Sequence, residues 1–184
     1  LATATAVGLA KCTSEAAKLE NNMSAMVRYV DGLTESATTS TEQAQSNLKA
    51  MRTYIQDLST QIPRTTEQIS KMSAALGQSG IGADRQMSTG ILRDTAVAAT
   101  AMDLEDDTAG NYMAKWEAAF NFNHDQVMTL MDQINYLGAN NATTAAEIAQ
   151  SVNQAASMGQ IAGVDPSATA AIATAMQESR LTNL

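Results

Sequence analysis

Leu9, Cys12, Ala16, Leu19, Met23, Met26, Val30 and Leu33 succeed one another at intervals that alternate between three and four residues. Nothing else in the 184-residue chain limits its fold as strongly. Side chains three and four apart share one face of an α-helix, so this order draws an apolar stripe along several helical turns. Lys11, Glu15, Lys18, Glu20 and Arg28 fall off the stripe, where solvent should be. Asp31-Gly32 predicts the end of that helix. After a Ser/Thr-rich connection, Ser40-Thr41-Glu42-Gln43 has the form of a capping box. A second stripe follows at Leu48, Met51, Ile55, Leu58 and Ile62. Two helices with seams this narrow can pair as an ordinary amphipathic hairpin. They can equally self-associate, copy to copy, through the Leu9–Leu33 and Leu48–Ile62 seams.

Pro63 closes this region, and shorter units follow. Thr65-Thr66-Glu67-Gln68 starts a helix with Ile69, Met72 and Leu76 inward and Gly77 as its expected end. Residues 78–82 read as a loop, and a helix is expected from Ala83 to about Met102. Asp103 is the expected N-cap of a helix bearing Tyr112, Met113, Trp116 and Phe120. Asn123 caps another, with Val127, Leu130, Met131, Ile134 and Leu137 inward and Gly138 at its end. Thr143-Thr144 with Glu147 opens a helix to Met158-Gly159, and Asp165-Pro166 opens one more, with Pro at the first helical position. The order Thr-Thr, helix, Gly-Gln, Gly loop occurs near residues 65–81 and again near 143–163, which suggests repeated antiparallel helix pairs. Pro occurs only at 63 and 166, and β-branched residues seldom alternate with polar ones, so strand signals are nearly absent. The expected fold is all-α: long heptad-like helices over 1–62, then a compact bundle of short antiparallel helices over 63–184.

Apolar residues make up 45% of the chain but aromatics only 4%, so a core of Ala and Met must depend on close helix approach. Five of the seven aromatics lie between Tyr112 and Tyr136, which places the expected conventional core there. Residues 1–70 hold six basic and seven acidic side chains against five and twelve in 71–184, which together give the net charge of −8. That balance excludes a nucleic-acid surface, which needs clustered Lys and Arg. No run approaches the 18 apolar residues of a membrane span. The chain starts at Leu1 without the basic start of a signal peptide, and reads as an excised segment of something longer.

Cys12 sits in the first seam as a small hydrophobe, with no base to activate it. His124, the single histidine, follows the cap Asn123 and is expected at the surface, with no second histidine to share a metal. Asp103, Glu105, Asp106 and Asp107 lack the order of an EF-hand loop and suit the first turn of a helix. The glycine loops follow no strand and lack a nearby Lys-Ser/Thr, so they predict no phosphate cradle. Met23, Met26, Met51, Met72 and Met131 fall at inward positions, as a plastic core requires. No catalytic, cofactor-binding or metal-binding residue is expected, and the chain is expected not to be an enzyme.

Several of these pieces resemble a known family. Leu58-Ser-Thr-Gln-Ile-Pro63-Arg-Thr-Thr-Glu67-Gln-Ile, continued by Ala75-Leu-Gly-Gln-Ser-Gly80-Ile, is similar to the core region of phage tail tape measure proteins. Ala118-Ala-Phe120-Asn, Asp132-Gln-Ile-Asn-Tyr136-Leu with Asn140-Asn-Ala-Thr143-Thr144, and Ala155-Ala-Ser-Met-Gly159-Gln-Ile-Ala-Gly163-Val-Asp165-Pro166 continue the likeness, which spans roughly residues 25–178. Order and spacing carry it, since each piece alone is only caps and small residues. The resemblance implies a structural protein of the tail lumen that sets tail length, templates tube assembly and assists genome delivery. Its implied partners are tail-tube and baseplate or tail-tip proteins and a tail assembly chaperone, met in the host cytoplasm and then in the virion. A globe of this size would be about 40 Å across, which suits a folded end or anchor better than a stretched ruler. The rival expectation is a secreted helical translocator or pore-forming protein. Such a protein would normally carry an apolar hairpin of about 18 or more residues, which is missing here but could lie elsewhere in a longer parent.

Overall fold

The computed structural model describes residues 23–159 together with 165, 168, 170, 171, 174 and 175. Eight helices and no strand occur among the described residues: α1 (described over residues 23–29), α2 (Thr41–Gln61), α3 (Thr66–Gln78), α4 (Ala83–Ser88), α5 (Ile91–Ala101), α6 (Asp106–Phe120), α7 (His124–Asn140) and α8 (Ala145–Gly159). Residues 168, 170, 171, 174 and 175 are also helical. The all-α expectation holds.

Local chemistry sets most of the boundaries. Ser40 caps α2 by accepting from the Gln43 amide, but the Gln43 side chain donates to Asn47 instead of turning back, so only half of the expected capping box forms. At the other end Ile62 is extended, at φ −120° and ψ 140°. Pro63 requires this, because its ring crowds a helical residue before it. Thr65 and Gln68 form a full capping box at the start of α3, and Asn123 and Gln126 do so for α7. Thr144 and Glu147 exchange the same bonds ahead of α8, and the Thr144 backbone N–H and hydroxyl hold the Glu147 carboxyl below the usual carboxylate range. The capping threonine is therefore the first of its pair at 65–66 and the second at 143–144, so the two Thr-Thr starts are not in the same register.

Several predicted boundaries move. Gly77 does not end α3, which continues to Gln78; the left-handed residue beyond it is Gly80 (φ +88°). Gly77 is instead a point of contact. A Cβ there would lie 2.6 Å from Val30 Cγ2 and 2.8 Å from the Tyr29 carbonyl oxygen. Gly138 likewise lies inside α7, where a Cβ would meet the Ala145 backbone. The single helix expected over 83–102 is broken in two by Gly90 (φ +74°). Asp103 does not cap α6; it adopts a left-handed φ of 52°, and Glu105 holds the cap position without a side-chain bond.

Helix α3 is the centre of the fold. All residues from Ile69 to Gly77 except Lys71 are buried. Its most extensive partner is α6, which comes close because Gly110 faces it. A Cβ on Gly110 would stand 2.8 Å from both Ala75 Cβ and the Met72 carbonyl oxygen. A glycine inside a helix costs about 1 kcal/mol in propensity, so these close contacts must return at least that much in packing. Helices α2, α4 and α5 also pack on α3, and α8 covers α6 and α7. The stripe on α2 faces this core: Met51, Ile55, Leu58 and Ile62 are buried, and Leu48 is half-buried. Met23, Met26, Val30 and Leu33 are buried as well. Their seams are therefore filled by the chain's own core, which corrects the expected self-association through Met23–Leu33 and Leu48–Ile62. Leu9, Cys12, Ala16 and Leu19 lie outside the described residues. Apolar packing is continuous from Met23 to Ala170 and is not confined to the aromatic region, where Tyr136 is 67% exposed. Trp116, fully buried, stacks on Tyr112 with ring centroids 5.4 Å apart.

Candidate functional site

Three polar arrangements join the helices. Gln86 on α4 is completely buried. It accepts from the Ser73 hydroxyl at 2.6 Å and donates to the carbonyls of Ser73 and Ile81 at 3.1 and 2.8 Å. Every strong hydrogen-bonding position of the amide but one is thereby used, which lets it sit in an apolar interior without a desolvation penalty left over. Arg64, next to Pro63, makes a second arrangement. Its guanidinium donates to Thr100 Oγ1, to the carbonyls of Ala99 and Leu104, and to Asp106 Oδ1 at 2.8 Å. It thus satisfies the Ala99 carbonyl near the C-terminal end of α5 and the Leu104 carbonyl beyond it, and pairs with a carboxylate in the first turn of α6. The cationic end of that bridge suits the dipole of α5, and the anionic end suits that of α6.

The third arrangement contains His124. Its side chain is only 17% exposed, so the surface position expected for it is corrected. Nε2 lies 2.8 Å from Asp94 Oδ2 of α5, and Nδ1 lies 4.0 Å from Glu117 Oε1 of α6. Arg85 of α4 donates to Glu117 Oε2 at 2.6 Å, and Arg93 donates to Asp94 Oδ1 at 3.1 Å. Four helices meet in this cluster. Tyr54 of α2 lies close enough to respond to it: burial, with the charge of Asp94 added, pushes its phenol up. Glu117 was legible in one respect. It falls four residues after Met113 and one after Trp116, on the inward face of α6, where a charge needs a partner. The partners themselves are up to 32 residues away in sequence, and nothing local announces them.

The expected acidic group does not act as a unit. Asp106 is committed to Arg64, Asp107 accepts from the Thr108 amide, and Asp103 and Glu105 are exposed. Among the described residues no three of His, Cys, Asp and Glu gather as metal ligands would. Cys12 lies outside the described residues. A polar groove of about 450 Å³ is lined by Ser70, Lys71 and Gln78 of α3 and by Glu105, Asp107 and Asn111 beside it. No helix among the described residues is long and apolar enough to cross a membrane. The three arrangements tie helices to one another.

Comparison with known proteins gives this scaffold a context. The family described as phage-related minor tail protein matches residues 52–183. A probable tape measure protein of Halomonas phage phiHAP-1 is 32% identical over 113 residues, which cover 58% of this chain and 13% of that protein. The chain thus corresponds to a small part of the length of that relative. No solved structure matches the chain.

Proposed function

The chain belongs to the phage-related minor tail protein family, and from that premise we propose that it is a folded segment of a tape measure protein. In this reading the parent protein lies in the tail lumen, sets tail length, templates tube polymerisation and assists genome delivery. It meets a tail assembly chaperone in the host cytoplasm, and then tail-tube and baseplate or tail-tip proteins in the virion. The work is structural, not catalytic. The observation that carries the reading is the family match across residues 52–183, supported by the likeness to a protein named as a probable tape measure.

Within that role, this segment serves as a packed anchor. A ruler converts residues into length at about 1.5 Å each, which needs helices laid end to end. Here α3 is surrounded by its neighbours, and caps or left-handed residues turn the chain after nearly every helix. Deleting residues 41–61 from the parent gene, followed by electron microscopy of the particles, tests this. An anchor predicts tails of unchanged length or no tails at all. Tails uniformly shorter by about 30 Å, the length of a 21-residue helix, would make this segment part of the ruler.

A further inference from the structure

A neutral imidazole carries one N–H, and a carboxylate can only accept. With Nε2 at 2.8 Å from Asp94 Oδ2, that N–H belongs on Nε2. Nδ1 of the neutral ring would then turn a lone pair toward Glu117 Oε1, an acceptor facing an acceptor across 4.0 Å. Both atoms are buried and neither has a hydrogen-bond partner. A second ring proton, drawn from solvent, turns this opposition into attraction. We propose that His124 is a proton-operated joint, in which the imidazolium links Asp94 of α5 to Glu117 of α6 and fastens the start of α7, while loss of its proton loosens that attachment.

The surrounding charges allow this. Arg85 of α4 and Arg93 of α5 already pair with the other oxygens of Glu117 and Asp94, but their side chains are 48% and 55% exposed. Water screens them more than it screens the carboxylates, which are 9% and 25% exposed. Tyr54 of α2 adds no charge at neutral pH, and Asp125, next on α7, is exposed. The proposal stands on the geometry of these groups and is independent of the tape-measure reading.

The chain has one histidine, so its ring nitrogens give one set of NMR signals. The test combines ¹⁵N NMR of that ring with urea unfolding of the 184-residue chain between pH 6 and pH 8, a window above ordinary carboxylate titration. Because the folded state favours the protonated ring, stability should be greatest at the acidic end and fall as pH rises. The expected result is an unfolding equilibrium constant that grows several-fold across the window, with protonation of the two ring nitrogens following the same pH course. His124→Gln should show a flat profile. Glu117→Gln places an amide donor opposite a neutral Nδ1 and should flatten the profile while the chain stays folded. A wild-type profile that is flat, or that rises with pH, overturns the proposal. So does ring protonation that follows a different pH course from the stability, a reading that needs no variant to fold.

Discussion

Helix α2 has 21 residues and buries four, Ala44, Met51, Ile55 and Leu58; helix α3 has 13 and buries eight. The two helices pack against each other. Helix α2 is an outer helix with one apolar stripe and a polar remainder. Helix α3 is wrapped on nearly every side, and beside Ile69, Met72 and Leu76 the other five residues it buries are small: Ser70, Ser73, Ala74, Ala75 and Gly77. Burial on α2 follows hydrophobicity, whereas burial on α3 follows size. Small residues let four neighbouring helices come close, and dispersion gathered over many short contacts replaces the large side chains this composition lacks.

The sharpest way to break that contrast is to add the same bulk to each helix. Gly77→Leu drives a side chain into Val30 and the Tyr29 backbone, and should prevent folding or cost more than about 4 kcal/mol. Ala50→Leu, on the exposed face of α2, should change stability by less than about 0.5 kcal/mol in the same urea unfolding experiment. Equal losses would mean that α2 is as enclosed as α3. Next in size is Gln86→Leu. It leaves the Ser73 hydroxyl and the carbonyls of Ser73 and Ile81 without their partner, and should cost about 2–3 kcal/mol.

These same positions mark where the sequence stopped being readable. The α2 stripe was legible because its apolar residues stand out from a polar background at helical intervals. So were the caps Ser40, Thr65 and Asn123, because capping chemistry is local. Helix α3 was legible only at Ile69, Met72 and Leu76; its serines, alanines and glycine look the same whether they face water or a neighbouring backbone. In sequence Gly77 and Gly138 therefore look like helix ends although they are points of contact, and nothing around Gly90 marks it as a real break. The His124 cluster was hidden for a different reason. Its ion pairs reach across 30 and 32 residues, from His124 to Asp94 and from Glu117 to Arg85, and such pairings exist only once the helices have packed.

Smaller effects refine the contrast. Thr65→Ala removes a complete capping box and should cost about 1 kcal/mol, while Ser40→Ala removes one long bond of 3.3 Å and should cost about half as much. Smallest of all should be Arg52→Ala and Gln56→Ala on the exposed face of α2, within about 0.5 kcal/mol by urea unfolding. If those two variants fold normally yet reduce the yield of intact tails, the outer face of α2 touches a partner.

Trp116 gives the chain an optical property. It is the only tryptophan in the sequence, and it is fully enclosed against the Tyr112 ring. Its fluorescence therefore comes from one place, the side of α6 that belongs to the core. Emission should be shifted to the blue while the helices remain packed and move to the red as water reaches the indole. A single wavelength scan would then follow the opening of this core without any added label.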